Sequence, residues 1–319
     1  MITLLHSRVK YYLLFLLLIC SVSCEKEANI SIQEVDAQVV IISNFTPNEP
    51  FQLELSPSTS IFTLSNNTQD LENATVEICG GKNCQILDSQ VSGGGNDNLN
   101  KFIFTSTKDK PVAGIEYSLN VKIEGMEEVS AEAISPEKVE LTHVAVGAVS
   151  EIPLPNNPID EKQYEVRVSL QFDDPTGEDN FYQINFYQQK NDVNGNLIAQ
   201  YNDEGIEDFL EIDDDIIDIR NITDNGILLS DRHFDGQTRD LFFRPTFKFN
   251  PLTEMPVNLI VEFRTVSKDY YDYYSSVHKQ VNQGSDPFSQ PIEIISNINN
   301  GLGVFAGYSK DVMIREIEF

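Results

Sequence analysis

The sequence predicts a mainly β protein: two immunoglobulin-like β-sandwich domains with one helix late in the chain. Short apolar runs recur between turn residues from Val35 onward, and several alternate with polar neighbours, as Phe51 and Leu53 do. Such runs are typical of strands that bury one face of a sheet. A helical spacing of apolar residues is found only near Tyr270. Many short strands separated by turns, with little helix, indicate a sandwich architecture.

The first residues have the features of a bacterial lipoprotein signal. Arg8 and Lys10 precede an apolar run that is too short to span a bilayer. The motif Ser21-Val22-Ser23-Cys24 resembles a lipobox, in which small residues precede the cysteine that becomes lipidated. We therefore expect a signal peptide over residues 1–23 and a lipid on Cys24. An ordinary secretory signal with an incidental cysteine is the alternative.

A tether is expected over residues 24–34, and it begins with charge. Glu25-Lys26-Glu27 resembles the surface-export signals of some lipoproteins, although a solvated linker fits the same residues. The whole chain has 50 acidic and 22 basic residues and a net charge of −28. This balance argues against nucleic acid, whose binding needs basic patches. It also argues against electrostatic attraction to an anionic membrane, so the lipid is expected to provide the anchor.

The first domain is predicted over residues 35–136 and carries two cysteines. Cys79 and Cys84 flank Gly80-Gly81-Lys82-Asn83, a loop that suits a tight hairpin, so their side chains can meet across it. In an oxidising compartment this pattern predicts a structural disulfide. A metal-binding pair is the alternative, although no second Cys or His pair lies nearby in the sequence.

The second domain is predicted over residues 137–319. Tyr164 to Phe172 alternates apolar and polar residues as a strand does, and further apolar runs follow. Ser267 suits a helix N-cap, and the residues behind it have helical spacing, which predicts a helix near 267–283. The helix leads into a C-terminal signature, residues 286–308. We expect helix and signature to form one unit against the second sandwich.

Turn and glycine chemistry marks the C-terminal signature. Asn299-Asn300-Gly301 predicts a turn, because Asn and Gly tolerate positive φ. Gly303 and Gly307 lie in the apolar stretch that follows. A missing side chain at such a place predicts a bulge or the close approach of another backbone segment.

Aromatic residues are the candidates for a binding surface. Four tyrosines of the predicted helix cover more than one helical face, so they cannot all be buried against one sheet. We expect part of the cluster to present its rings to a partner or ligand; a core-facing cluster is the alternative. Phe288 and Phe305 of the signature are further candidates. The four tyrosines are Tyr270, Tyr271, Tyr273 and Tyr274.

No catalytic site is predicted. His143, His233 and His278 are isolated in the sequence and have no metal-ligand spacing. Neither a Gly-x-Ser-x-Gly nucleophile motif nor a phosphate-binding glycine loop is present. Carboxylates are so abundant that no pair can be singled out as general acid and base. We therefore predict a protein that is not an enzyme and needs no cofactor.

Calcium is the metal that the acidic residues could suit. Asp213-Asp214-Asp215 offers hard oxygen ligands, and so does Asp231 together with Asp235-Gly236. Neither spacing matches a complete calcium loop, and acidic runs are more often solvated faces. No metal site is assigned, and calcium binding to these loops stays an open alternative.

The C-terminal segment beginning Asp286-Pro287-Phe288-Ser289-Gln290-Pro291 resembles the closing signature of a Bacteroidota family catalogued as domain of unknown function 4249. The resemblance covers most of the chain that follows Cys24 and establishes no active site. Its other motifs occur in order, and they are Asn73-Ala74-Thr75-Val76, Phe172-Asp173-Asp174-Pro175, Ser230-Asp231, Phe234-Asp235-Gly236 and the tyrosine run from Tyr270.

This resemblance implies a location and a partner class. Members of the family are outer-membrane-associated lipoproteins that are commonly encoded beside TonB-dependent receptors. The resemblance therefore implies an outer-membrane protein, lipid-anchored and exposed on the cell surface or on the periplasmic face, that assists such a receptor in substrate capture or uptake. Two other functions stay open: a stand-alone module that binds glycan or peptide, and a structural envelope protein.

Overall fold

Side-chain alternation sets the strands, as β10 (Lys162–Asp173) illustrates. Its Val166, Val168 and Leu170 side chains are buried, whereas Arg167 between them is exposed. Successive residues of a strand point to opposite faces, so one face of β10 lies in a core and the other in solvent. The mainly β fold with one late helix, predicted from such patterns, is confirmed.

Several predicted features lie outside the described residues: the signal peptide, Cys24, the tether, the Asp213-Asp214-Asp215 run and Phe288. The described residues belong to one unit, Ala37–Phe319. The computed structural model describes residues 38–58, 71–91, 101–154, 161–202, 217–219, 226–283 and 292–318.

The described residues contain eighteen strands, one α-helix and two short 3-10 helices. The helices are α1 (Lys268–Gln283) and the 3-10 segments Leu71–Asn73 and Asp231–His233. Besides β10, the strands are β1 (Val39–Phe45), β2 (Gln52–Pro57), β3 (Thr75–Gly80), β4 (Asn83–Ile86), β5 (Asp88–Val91), β6 (Phe102–Thr105), β7 (Glu116–Lys122), β8 (Val129–Ile134), β9 (Leu141–Ile152), β11 (Phe181–Asp192), β12 (Leu197–Asn202), β13 (Ile217–Ile219), β14 (Gly226–Ser230), β15 (Thr238–Phe243), β16 (Thr246–Phe249), β17 (Glu254–Val266) and β18 (Leu302–Glu316).

The strands form one ten-stranded sheet and two four-stranded sheets. The large sheet has the order β13-β14-β11-β17-β18-β1-β2-β6-β5, with β12 paired to β11. The sheet β4-β3-β7-β8 packs on the half that contains β1, β2 and β6, and together they enclose the first core. The sheet of β9, β10, β15 and β16 packs on the half that contains β11, β14 and β17, and they enclose the second core. Both halves are therefore two-layer sandwiches.

The last strand, β18, joins the two halves of the large sheet. Its first part pairs in parallel with β1, and its second part pairs in antiparallel with β17. Phe305 of β18 is fully buried, and its ring centroid lies 4.9 Å from that of Phe45 in the first core. The C-terminal strand thus completes the sheet that the first strand begins.

The C-terminal signature contacts helix α1, as expected, because Val304 and Ala306 pack with Tyr270. The expectation that this signature packs only against the second sandwich is wrong. Ile298 and Phe305 belong to the first core, and Asn299 forms an isolated bridge with Ser130 of β8. The cause is the parallel pairing of β18 with β1, a contact between distant parts of the chain that no local pattern indicates. The division into domains 35–136 and 137–319 stays a prediction.

Helix α1 covers the face of the large sheet that points away from both cores. Tyr270 packs there with Val266, Val304 and Ala306 in a third apolar cluster. The Tyr270 N–H donates to Ser267 Oγ at 3.3 Å, so Ser267 is the N-cap that the sequence predicts. Among the described residues, none of the helices is long and apolar enough to cross a membrane.

The predicted disulfide is confirmed. Cys79 of β3 lies directly opposite Cys84 of β4, and the two sulfur atoms are bonded. The bond closes a hairpin at the edge of the first sandwich. It therefore restrains a local turn and does not connect distant elements.

Candidate functional site

Tyr270 anchors helix α1 and is not a surface residue. Its side chain is 1% exposed, and its hydroxyl donates to Gln183 Oε1 at 2.8 Å. Arg264 Nη1 in turn donates to the Tyr270 hydroxyl at 3.2 Å. Glu262 balances this buried guanidinium, because Arg264 Nε donates to Glu262 Oε1 at 2.7 Å. The network fixes the helix to β11 and β17. Its hydrogen bonds satisfy polar groups that are largely shielded from water.

The next tyrosines pack at the borders of the helix. The Tyr271 ring lies 4.7 Å from that of Phe181, and the Tyr274 ring lies 4.5 Å from that of Tyr270. Asn44 Nδ2 of β1 donates to the Tyr274 hydroxyl. Both tyrosines are half-buried, so each contributes to packing and leaves part of its surface accessible.

Tyr273 is half-buried and contacts its neighbour on the helix. Its ring meets Tyr274 edge to face at 5.2 Å. Partial burial raises the pKa of the Tyr273 hydroxyl, so the phenol stays neutral and hydrogen-bonding at physiological pH. A partly exposed ring with a neutral hydroxyl is suited to protein contact.

The prediction of a surface contact role is wrong for two residues. Phe305 is 0% exposed in the first core, and Tyr270 is buried under the helix. A partner cannot reach either ring without unfolding the element that covers it. The contact roles of Tyr271, Tyr273 and Tyr274 stay predictions, and Phe288 lies outside the described residues.

Exposed apolar residues lie at the end of helix α1 and in the segment that follows it. The Ile295 N–H donates to Ser276 Oγ at 2.9 Å, which holds this segment against α1. Val281, Ile294 and Ile295 are 63%, 43% and 52% exposed. Periodicity gave no sign of this exposure, because Val281 has the helical spacing of a packed residue and Ile294-Ile295 lie in an apolar run that is typical of core. We call the following residues the helix–segment surface: Tyr271, Tyr273, Tyr274, Val281, Ile294 and Ile295.

Three carboxylates from distant parts of the chain meet at one end of the second sandwich. Asp174 follows β10, whereas Asp231 and Asp235 follow β14, and each offers an oxygen within 4.8 Å of the others. The sequence singled out Asp231 and Asp235 as possible calcium ligands, whereas Asp174 stood out as part of a family-like motif. Their convergence depends on β10 and β14 lying in opposite layers, which local patterns do not indicate.

Each carboxylate of this cluster also accepts a hydrogen bond from a neighbouring loop. Asp174 Oδ2 accepts from the Gly236 N–H at 2.8 Å, and Asp235 Oδ1 accepts from the Gly177 N–H at 2.8 Å. Asp231 Oδ2 accepts from the Asn180 N–H at 2.7 Å. The three side chains therefore connect the loop after β10 to the loop after β14. We call Asp174, Asp231 and Asp235 the carboxylate clasp.

Burial makes the ionised form of two of these three carboxylates less favourable. Desolvation raises the pKa of Asp174 and of Asp231, and the negative charge of Asp235 raises both further. The hydrogen bonds from the backbone and from the Tyr182 hydroxyl act in the opposite direction on Asp174. Carboxylates in this arrangement can hold a hard cation, and they can equally serve as hydrogen-bond acceptors alone.

Comparison with known proteins identifies the family. The family model described as "Domain of unknown function (DUF4249)" matches residues 25–313. The chain belongs to this family. The curated proteins contain no match to it.

Proposed function

We propose that this member of the DUF4249 family is a non-enzymatic outer-membrane lipoprotein that assists a TonB-dependent receptor in substrate capture or uptake. The lipid on Cys24 holds the protein at the membrane, and the helix–segment surface contacts the receptor. The partner class comes from the resemblance described for the sequence, because members of that family are commonly encoded beside such receptors.

The observation that carries this proposal is the exposure of the helix–segment surface. Val281, Ile294 and Ile295 present apolar side chains to solvent beside half-buried tyrosines. Exposed apolar side chains can mark interaction sites, and aromatic residues are enriched in the cores of protein interfaces. Tyrosine suits such a place, because it combines a large apolar ring with a hydroxyl that can pair across the interface.

The surface is also held rigid before any partner binds. Tyr270 fixes the helix through Gln183 and Arg264, and Tyr274 connects it to Asn44 of β1. Rigid presentation lowers the entropy that must be lost on association. The same contacts mean that Tyr274 has a structural role, so it is a poor residue with which to test binding.

The test uses two substitutions at the exposed part of this surface. Tyr273→Ala with Ile295→Ser removes a ring and an apolar side chain and leaves the network around Tyr270 unchanged. We expect recovery of the receptor with the tagged protein to fall at least about tenfold. Leu252→Ser is the matched control, because Leu252 is 67% exposed on a turn outside this surface.

Thermal unfolding of all variants separates loss of binding from loss of fold. A double variant that melts like the wild-type protein and still recovers the receptor in full would contradict the proposed surface. A control variant that loses the receptor would contradict the proposed surface as well. Removal of an apolar side chain outside that surface would then weaken binding to the same extent.

A further inference from the structure

A groove lies on the exposed face of the sheet formed by β9, β10 and β15. Its volume is about 540 Å³, within the range of small-molecule sites. Small side chains form the floor, and one aromatic and two cationic side chains rise beside it. The outward-facing residues of the groove are Ala145, Gly147, Ser169, Phe242, Arg167 and Arg244.

The strands on both sides of Arg167 depart from regular pairing. On β9, a register shift between the partners of Val166 and Val168 places two residues opposite Arg167. On the other side, β15 ends at Phe243 and β16 begins only at Thr246. A bulge of this kind bends a strand and re-aims a side chain, and bulges are over-represented at sheet edges and next to active sites. Between β15 and β16, the Val166 N–H donates to the Pro245 carbonyl at 3.1 Å, so the chain continues beside β10 there. Arg167 therefore lies on the exposed face of β10 between two irregular neighbours.

Gly147 of β9 lies beside Arg167 on the same exposed face. Its φ lies outside the left-handed region, so the backbone itself does not require glycine. A Cβ at this position would lie 3.4 Å from Arg167 Cβ. Any longer side chain at position 147 would therefore occupy the space beside the arginine. With glycine at position 147, the space beside the Arg167 side chain is left unfilled.

The two arginines of the groove are in different electrostatic states. Arg244 lies 3.6 Å from Glu165, which neutralises and positions it. Arg167 is exposed and has no ion-pair partner among the residues that the structure describes. An accessible guanidinium without an ion-pair partner can pair with one anionic group of a ligand. Guanidinium groups bind carboxylates in a bidentate geometry.

Phe242 adds an apolar platform beside the charge. Its ring is 65% exposed and stands opposite Ser169 in the ladder. Next along the same face, Gln171 Nε2 donates to Asp240 Oδ1 at 2.8 Å, and the Thr142 hydroxyl donates to the Gln171 carbonyl at 3.1 Å. An exposed ring followed by hydrogen-bonding side chains suits a sugar, which has C–H faces and hydroxyl groups.

We infer that this groove binds an acidic oligosaccharide, with a uronic acid carboxylate on Arg167 and a sugar ring on Phe242. The ligand carries few charges, because the chain's net charge of −28 repels polyanions. Ser169 and the polar row behind it accept and donate hydrogen bonds to the hydroxyl groups. This site is separate from the helix–segment surface, and the inference does not depend on a receptor partner.

The test is calorimetric titration of the purified full chain with two matched disaccharides. Cellobiouronic acid carries one carboxylate, and cellobiose is its neutral counterpart. We expect saturable binding of the acid and binding at least about tenfold weaker for the neutral sugar. Arg167→Gln, Phe242→Ala and Gly147→Val each weaken binding of the acid to a similar degree. Leu252→Ser leaves it unchanged.

Three results would overturn the inference. The first is absence of saturable binding of cellobiouronic acid by a protein that melts cooperatively. The second is unchanged affinity in the Gly147→Val variant, because the filled groove could then not be the site. The third is tighter binding of a glutamyl-phenylalanine dipeptide than of the acidic sugar, which would assign the groove to acidic peptides.

Discussion

Gly303 of β18 lies against the backbone of Ile41 of β1, so closely that a Cβ on Gly303 would be 1.9 Å from the Ile41 carbonyl oxygen. Its φ of +107° is also in the region that favours glycine. These two residues are opposite each other in the parallel ladder that joins the first strand to the last. The large sheet is therefore continuous only because residue 303 has no side chain.

Gly303→Ala is expected to destabilise the fold by more than about 3 kcal/mol, because the clash is with backbone and cannot be relieved by a rotamer change. Chemical denaturation measures the loss. Gly125→Ala is the matched control: Gly125 has a φ of +80° and no atom within 4 Å of a built Cβ. It isolates the conformational strain, so equal losses in the two variants would contradict the role of close approach.

Tyr270→Phe tests the buried network under α1. The change removes the hydroxyl that accepts from Arg264 and donates to Gln183. We expect a loss of about 1–3 kcal/mol in the free energy of unfolding, because both partners stay buried. Tyr273→Phe is the control, since the described residues offer its hydroxyl no hydrogen-bond partner. Its stability should match that of the wild-type protein; a loss as large as that of Tyr270→Phe would contradict the assignment.

The contribution of the carboxylate clasp (Asp174, Asp231 and Asp235) to the stability of the fold should depend on pH. The pKa values of Asp174 and Asp231 are raised in the folded state, so the native protein binds these protons more tightly than the unfolded chain. Lowering the pH from neutral towards the raised values therefore favours folding at these two groups. Asp231→Asn removes one of the charges and keeps an oxygen that can accept from Asn180.

We expect Asp231→Asn to be at least as stable as the wild-type protein at pH 7, with an advantage that shrinks as the pH falls. Unfolding curves at several pH values check this. A variant that is clearly less stable at pH 7, with a deficit that grows when calcium is added, would show that the cluster binds a cation instead.

The disulfide contributes locally. It closes a loop with a sequence separation of five residues, for which the chain-entropy model gives about 2 kcal/mol. The Cys79→Ser/Cys84→Ser double variant should lose about that much in chemical denaturation and should keep a cooperative transition. Complete unfolding of this variant in the absence of denaturant would contradict a local role.

Local patterns in the sequence predicted those features that depend on neighbouring residues. Alternation predicted the strands, Ser267 marked the start of the helix, and the cysteine spacing predicted the bond. The apolar context of Gly303 and Gly307 predicted close backbone contact, and a Cβ on Gly307 would indeed lie 2.2 Å from the Ile134 carbonyl oxygen.

Local sequence patterns could not predict the features that depend on pairing between distant parts of the chain. Helical spacing shows that four tyrosines cannot all be buried, but the burial of Tyr270 is decided by Gln183 and Arg264 on other strands. The meeting of Asp174 with Asp231 depends in the same way on how the layers stack. Parallel pairing of β18 with β1 has no local signal either, since each strand alone satisfies the same alternation.

The receptor partnership is tested most directly by recovery of the tagged protein from detergent-solubilised outer membranes, with bound proteins identified by mass spectrometry. We predict that a TonB-dependent receptor is recovered in near-equal amount with the wild-type protein and is lost with Tyr273→Ala/Ile295→Ser. Recovery of the tagged protein alone, from membranes that contain the receptor, would contradict the account.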